Sequence, residues 1–253
     1  MSIVDTIVKY RRKLVEFEKK YLRINNQRTS PLISLRDSIT SSNRIGRIGV
    51  IAEYKRASPK GIISLELKPE EYVCRVRNYV CGFSVLTEPF WFLGNYTYLV
   101  LIKELSNLPI LFKDFIIDTW QVDLAYTLGA DAILLISELL SNRELENLYE
   151  YALNKDLEVV IETNSKEKAI EIANTYDKAL LGVNARNLKT LQVSIEKAIN
   201  IIREVRNSVE NLIILESGIS SKEHMIYAKE GGANAVLIGT SLMRGMNVLD
   251  MII

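Results

Sequence analysis

The stretch Val50-Ile51-Ala52-Glu53-Tyr54-Lys55-Arg56-Ala57-Ser58-Pro59-Lys60-Gly61 is an apolar run that stops abruptly in a carboxylate, then cations, a hydroxyl and a turn. A buried strand that delivers chemistry at its tip reads this way. Side chains alternate across a strand with period two, so Glu53 and Lys55 face one side and Tyr54 the other. Taken alone, the stretch reads more readily as a strand running out into a solvated loop. Repetition further along the chain decides between the two.

From Ile48 onward, short β-rich apolar runs alternate with helical segments. The predicted strands are Gly49 to Lys55, Gly82 to Thr87, Ile110 to Lys113, Ala132 to Ile136, Glu158 to Glu162, Ala179 to Asn184, Leu212 to Glu216 and Ala235 to Ile238. Leu128-Gly129-Ala130-Asp131 and Glu230-Gly231-Gly232-Ala233 place Gly where a helix C-terminus needs a positive φ. Strict β/α alternation with strands apolar on both faces means a parallel sheet. Eight such units favour a closed (β/α)8 TIM barrel of the α/β class over an open doubly wound sheet, and no GxGxxG fingerprint supports the latter.

Upstream, Ile3, Ile7, Tyr10, Leu14 and Phe17 recur at helical spacing, predicting an amphipathic helix over Met1 to Tyr21. Asn25 to Pro31 breaks it, and Leu32 to Ile39 adds a short helix before Ser41-Ser42-Asn43. The expectation is one domain over residues 1–253, with residues 1–47 as an N-terminal helical extension laid over the barrel.

Bulk composition removes several function classes. The 253 residues are 48% apolar and 25% charged, with 32 Lys plus Arg against 31 Asp plus Glu. That balance offers no polyanion-binding surface, so nucleic acid is not an expected partner. The single His224 rules out histidine triads and multi-histidine zinc sites, and it reads as a surface residue without a role. Cys74 and Cys81 are too few for a disulfide framework and read as core thiols in a reducing compartment. No apolar run reaches the roughly twenty residues that span a bilayer, and the start lacks a signal-peptide core. A cytoplasmic protein, with no membrane partner, is expected.

The chemistry sits at the strand ends. Barrel interiors are layered from side chains on alternate strands, with catalytic groups at the C-terminal ends. The first, third, fifth and seventh strands each run apolar into a charge: Glu53, Lys113, Glu162 and Glu216. In common register these form a polar top layer, with Lys55 one step higher. Buried unpaired charges cost about several kcal/mol each, so the four must pair with one another or await a charged ligand. A purely structural ion-pair cap is the alternative. Opposite charges in a partly dry cup also shift pKa values both ways, which yields acids and bases near neutral pH.

Asn184 and Arg186, two apart at the end of the sixth strand, read equally as a pair addressing one ligand and as a loop amide beside a solvated Arg. Glu216-Ser217-Gly218-Ile219 and Ile238-Gly239-Thr240-Ser241 follow the last two strands. Gly permits close backbone approach, hydroxyls add donors, and a following helix aims N–H groups at an anion, so these two loops read as a phosphate site. Phe92 and Phe115, just beyond the second and third strands, either sandwich an aromatic or apolar ligand part or, as each read alone favours, pack in the core or rim.

These blocks resemble one family. Ile51-Ala52-Glu53-Tyr54-Lys55-Arg56-Ala57-Ser58-Pro59 is similar to the signature of the indole-3-glycerol-phosphate synthases of tryptophan biosynthesis. Ser84-Val85-Leu86-Thr87-Glu88, Leu111-Phe112-Lys113-Asp114-Phe115, Gly182-Val183-Asn184-Ala185-Arg186-Asn187-Leu188, Glu216-Ser217-Gly218-Ile219 and Ile238-Gly239-Thr240-Ser241-Leu242-Met243 look like its other blocks, in the family's order, over about Pro31 to Arg244. The resemblance implies ring closure of 1-(o-carboxyphenylamino)-1-deoxyribulose 5-phosphate to indole-3-glycerol phosphate with loss of carbon dioxide and water. It implies a phosphorylated small-molecule substrate and no cofactor; no metal and a monomeric chain are expected alongside.

Carried over by the resemblance, Lys113 is the general acid, Glu162 the general base, and Lys55 the contact to the substrate carboxylate. Glu53 and Asn184 position these groups. Ser58, Gly218, Gly239 and Thr240 bind phosphate; Glu216, Ser217 and Arg186 line the pocket; Phe92 and Phe115 hold the anthranilate ring. Departures from the family pattern are Thr240 for Ser, the polar Ser137-Glu138 after the fourth strand, and Asp118 where a basic residue is expected. Two other readings of the same residues are a Schiff-base reaction at Lys113 and a non-catalytic phosphate-binding relative.

Overall fold

Eight short strands, apolar on both faces, hydrogen-bond in parallel around a closed ring in the computed structural model, which describes residues 2–250. Met1, where the expected first helix begins, and residues 251–253, where the expected domain ends, lie outside the described residues. The barrel strands are β1 (Gly49–Tyr54), β2 (Gly82–Leu86), β3 (Ile110–Lys113), β4 (Ala132–Ile136), β5 (Glu158–Thr163), β6 (Leu180–Asn184), β7 (Ile213–Glu216) and β8 (Ala235–Ile238). Closure comes from β1, which pairs with β2 on one side (Glu53 opposite Ser84) and β8 on the other (Ala52 opposite Ile238).

The two faces of each strand separate into two apolar shells. Val50, Phe83, Phe112, Ile133, Ile161 and Leu215 pack outward against the helices. Ile51, Leu111, Val160 and Ile214 point inward as part of the second cluster. Two residues further along these odd strands, and therefore on the same inward face, stand Glu53, Lys113, Glu162 and Glu216. The polar layer expected from the strand ends is thus where the pleat puts it.

The surrounding helices are α3 (Pro69–Val76), α4 (Tyr96–Leu105), α5 (Thr119–Thr127), α6 (Asn142–Leu153), α7 (Lys166–Thr175), α8 (Ile195–Arg206), α9 (Lys222–Glu230) and the single-turn α10 (Thr240–Met243). Six of them start at a short polar side chain that accepts a first-turn backbone N–H: Asn95, Asp118, Ser141, Ser165, Ser194 and Ser221. Such caps satisfy donors that the helix itself leaves unpaired. No helix among the described residues is long and apolar enough to cross a membrane.

The N-terminal extension visits both ends of the barrel. Helix α1 (Ile3–Tyr21) lies at the C-terminal strand ends, and α2 (Leu35–Arg44) lies at the N-terminal ends. The side that α1 buries differs from expectation: Val4, Ile7, Arg11, Val15 and Glu18 are buried, whereas Tyr10 and Phe17 are more than half exposed. The helix is turned by one position because Arg11 finds an ion-pair partner beneath it. The Glu158 carboxylate caps α2, accepting from the Ser34 hydroxyl at 2.7 Å and from the N–H groups of Leu35 and Arg36 at 2.7 and 3.0 Å. Leu35 and Ile39 then fill the barrel's lower interior. This helix runs through Ser41-Ser42-Asn43, which were expected to follow it, because only Leu35 and Ile39 of α2 are buried and polar residues are tolerated elsewhere on it.

Between the two helices, Arg28 reaches the lower rim and donates to the carbonyls of Ala130 and Gly129 and to Asp131 Oδ1. Asp131, almost wholly buried, also accepts from Lys103 Nζ and the Ile110 N–H, which balances its charge. Cys81 is a core thiol as expected, but Cys74 is exposed on α3, whose buried positions are Pro69, Tyr72, Val73 and Val76.

Candidate active site

Lys113 ends β3 at the floor of a cavity of about 870 Å³ that opens at the C-terminal strand ends. Its ammonium lies 2.6 Å from Glu216 Oε2 and 3.3 Å from Glu53 Oε2. Lys55, one pleat above Glu53, pairs with that carboxylate's other oxygen. Across the floor, the Asn184 side-chain amide donates to Glu162 Oε1 at 2.7 Å, while its carbonyl accepts the Arg186 N–H at 2.9 Å. Five strands thus bring together an ion-paired set, Lys55, Glu53, Lys113 and Glu216, and the Asn184–Glu162 pair at one cavity floor.

The cup contains two ammonium groups and three carboxylates, and their environments push them apart. Burial disfavours charge on Lys113, but Glu216, Glu53 and Glu162 outweigh it and hold its pKa above the ordinary lysine range. Burial also opposes the Glu53 carboxylate, yet Lys55 and Lys113 hold it down at about 2. Glu162 goes the other way. Burial, reinforced by the charge of Glu216 and only partly offset by Lys113, pushes it up to about 8. A firmly protonated amine and a carboxyl poised near neutrality then share one cavity, which is the pairing acid–base chemistry requires.

Two glycines make room for this cluster. A Cβ at Gly239 would land on the Glu53 carboxylate, and one at Gly182 would lie 2.6 Å from Glu216 Oε1. The carboxylates therefore occupy space that any other residue on the neighbouring strands would fill.

The mouth is built by loops tied to buried acids. The Glu88 carboxylate accepts the N–H groups of Phe90, Trp91 and Phe92 at 3.0, 2.8 and 3.0 Å, which fixes the loop presenting Phe92. Phe92 and Phe115 touch each other, ring centroids 6.0 Å apart, and both line the cavity. They form one apolar wall rather than the expected two-sided sandwich. Opposite, Ser217 and Gly218 adopt φ of 70° and 87°, turning the chain sharply off β7 so that both line the cavity. Gly239 and Thr240 line it from β8, and Gly239 starts α10 with no side chain to cap the first-turn N–H groups. Ser241 Oγ donates to the Ile219 carbonyl at 2.9 Å and ties the two loops together. Arg186 lines the same end.

Two sequence expectations change. Ser58 does not line the cavity: a tight turn at Pro59 and Lys60 pairs it with Gly61 in a small hairpin, where its hydroxyl accepts the Lys60 N–H at 3.3 Å. Glu216 is fully buried beneath the cavity and meets Lys113 rather than forming the wall, because Gly182 leaves space for it underneath. Two residues were missed. Arg244 lines the cavity one turn beyond Thr240, a position its place in the Leu242-Met243-Arg244 run could have signalled. Arg11 reaches Asp114 from α1, and nothing local in the sequence marks a contact 103 residues away.

Among the described residues, no group of three or more His, Cys, Asp or Glu side chains is arranged to hold a metal ion.

A family model described as Indole-3-glycerol phosphate synthase matches residues 4–252. A protein of that name from Sulfurisphaera tokodaii is 44% identical over 232 residues, covering 91% of this chain and 92% of the relative. One from Pyrobaculum arsenaticum is 42% identical and covers 88% of each chain. One from Bacillus cereus strain AH187 is 38% identical and covers 93% of each. Among solved structures, a mutant tryptophan synthase alpha-subunit from Pyrococcus furiosus superposes with a TM-score of 0.62 over 80% of this chain and 97% of its own, at 14% identity. That likeness concerns the fold.

Proposed function

The chain belongs to the indole-3-glycerol phosphate synthase family, and from that premise we propose how its residues divide the work. The reaction closes the indole ring of 1-(o-carboxyphenylamino)-1-deoxyribulose 5-phosphate, giving indole-3-glycerol phosphate, carbon dioxide and water. The observation that carries the assignment is the Lys113 ammonium clasped by Glu216 and Glu53 in the same cup as Glu162.

In this reading, the substrate's ring carbon attacks the ribulose carbonyl, and Lys113 gives its proton to the carbonyl oxygen as the new carbon–carbon bond forms. Carbon dioxide then leaves that ring carbon, restoring the electron pair the ring needs. Finally the new hydroxyl departs as water, protonated by Lys55, while Glu162 accepts the proton released as the pyrrole double bond forms. Glu53 and Asn184 position the two lysines and Glu162. An amine held protonated by three carboxylates is an acid and not a nucleophile, which argues against the Schiff-base alternative.

The substrate's anions set the remaining roles. Lys55 faces the anthranilate carboxylate, and Phe92 and Phe115 hold its ring. Phosphate lies at Ser217, Gly218, Gly239 and Thr240, where uncapped N–H groups favour an anion, with Arg186 and Arg244 supplying charge. The reading needs no cofactor, and it takes residues 1–253 as one domain working as a monomer in the cytoplasm.

Incubation with the carboxyphenylamino substrate, followed by indole fluorescence, tests it. Lys113→Ala should lower turnover by roughly 10²–10⁴-fold, the range typical of a positioned proton donor. Unchanged turnover in that variant would overturn the assignment.

A further inference from the structure

Beyond β4 the chain enters a single 3-10 turn, Ser137–Leu139, whose first two side chains grip the neighbouring strand. Ile136 and Glu162 are register partners, so this turn starts beside Glu162. The buried Ser137 hydroxyl shares its proton between the Glu162 carbonyl at 2.9 Å and Glu138 Oε2 at 3.2 Å. The other Glu138 oxygen accepts from Thr163 Oγ1 at 2.7 Å and from the Asn164 N–H at 2.9 Å. Three consecutive residues, Glu162, Thr163 and Asn164, are therefore each tied to one turn.

We infer that Ser137 and Glu138 are positioning residues for Glu162, with Glu138 fixing the end of β5 through its acceptor oxygens and biasing Glu162 through its charge. The inference rests on the reading of Glu162 as the proton acceptor. Hydrogen bonds to the Glu162 carbonyl and to the two residues that follow it hold the chain where the side chain leaves it, and a misplacement of about 1 Å costs a catalytic group on the order of 10²-fold. Ordinary strand pairing holds Glu162 only through the flanking ladder. The extra bonds matter because Glu162 is the last residue of β5 paired with β4, where that ladder runs out.

The charge acts in the same place. Facing Glu162 are Lys113 from β3, Glu216 from β7, Asn184 from β6 and Glu138 from the 3-10 turn. Lys113 and the Asn184 bond favour the ionised form, whereas Glu216 and Glu138 oppose it, Glu138 through solvent and more weakly. A polar pair at Ser137-Glu138 departs from the apolar pattern of the family resemblance, and this geometry gives the departure a task.

The test compares Ser137→Ala, Glu138→Ala, Glu138→Gln and Glu162→Gln by steady-state kinetics across pH, with melting curves for each. Glu138→Ala and Ser137→Ala are expected to lower kcat by about tenfold or more with KM within about twofold, since the substrate-binding wall is untouched. Glu138→Gln keeps the acceptor for Thr163 and Asn164, so it should recover most of kcat, while the acid limb of its kcat profile moves to lower pH because a negative charge has gone. If Glu162→Gln is inactive but Glu138→Ala and Ser137→Ala match the parent, the inference alone falls. If Glu138→Gln and Glu138→Ala lose kcat equally, in step with lowered melting temperatures, the turn is mere scaffold and the inference also falls. Full turnover in Glu162→Gln would instead overturn the acceptor reading, and this inference with it.

Discussion

Arg11, on a helix laid over the barrel mouth, makes a two-pronged contact with Asp114, the residue after Lys113: Nε to Oδ1 at 2.8 Å and Nη2 to Oδ2 at 3.0 Å. Both side chains are fully buried. Glu18, at 2.8 Å from Nη1, and the Tyr96 hydroxyl, at 2.8 Å from Nη2, complete the guanidinium's partners. Asp114 in turn accepts from the Thr87 hydroxyl and the Phe115 N–H, at 2.7 Å each. The two sides of one strand end thus carry opposite duties, with Lys113 facing the cavity floor and Asp114 anchoring the extension.

Removing one member of a buried pair leaves the other uncompensated, at a cost of roughly 3–5 kcal/mol. Arg11→Ala should therefore lower stability by that order in chemical denaturation. It should lower turnover too, because Asp114 is then free to draw on Lys113. A variant that loses stability yet keeps full kcat would show that α1 serves only as a brace.

Gly239→Ala tests the packing of the cup. The added methyl would land on the Glu53 carboxylate and drive it off Lys55 and Lys113. Shifts of about 1 Å at a catalytic group cost on the order of 10²-fold, so kcat should fall by about that much. The check is kcat against Gly245→Ala, which carries the backbone strain of a residue at φ 91° but whose Cβ would meet nothing within 4 Å. Equal losses in the two variants would place the effect in loop strain instead.

Glu162 makes stability depend on pH. Its folded pKa of about 8 exceeds the ordinary glutamate value of 4.5, so between them the folded chain holds a proton that the unfolded chain releases. Stability from this group is full below the lower value and is lost as pH rises through the upper one. Glu162→Gln cannot ionise and should melt with a flatter pH dependence in that window. With about 2–4 °C for each kcal/mol in a chain of this size, the difference is within reach of calorimetry. Parallel curves for parent and variant would show that Glu162 is ionised throughout.

At the opposite rim, Arg28→Ala should separate stability from activity. It removes the 2.7 Å bond to Asp131 and the donors to the Ala130 and Gly129 carbonyls, far from the cup. Conserving chemistry at one end of such barrels and stability at the other is the general division. Because Lys103 still pairs with Asp131, a loss of roughly 1–3 kcal/mol with kcat/KM unchanged at low temperature is expected. A matching fall in kcat/KM would mean the lower rim couples to the site.

The barrel was legible because its strands carry their own signal: each observed strand lies within one or two residues of the predicted run, and four of the odd-strand tips are charged. The same pleat made Glu53, Lys113, Glu162 and Glu216 readable as one layer. What stayed hidden depended on partners distant in sequence. Arg11 and Glu18 lie in the buried stripe of α1, so apolar spacing selected Tyr10 and Phe17, which are exposed. The Ser58 hairpin turns on two residues, Pro59 and Lys60, too short to register against the strand before it. Asp118, expected to be basic, caps α5 and pairs with Lys19 of α1 at 2.8 Å, a role only the docked extension creates.

That docking has a consequence for how the molecule is made. Helix α1 emerges during synthesis before every barrel strand, yet its anchors Asp114, Asp118 and Glu144 come about a hundred residues or more later. A lone helix of this length is marginal in water. Contacts so far apart in sequence form late, after the loops between them have closed. The seal over the mouth thus sets late, as does the Lys113–Glu216 pair, whose partners also stand 103 residues apart.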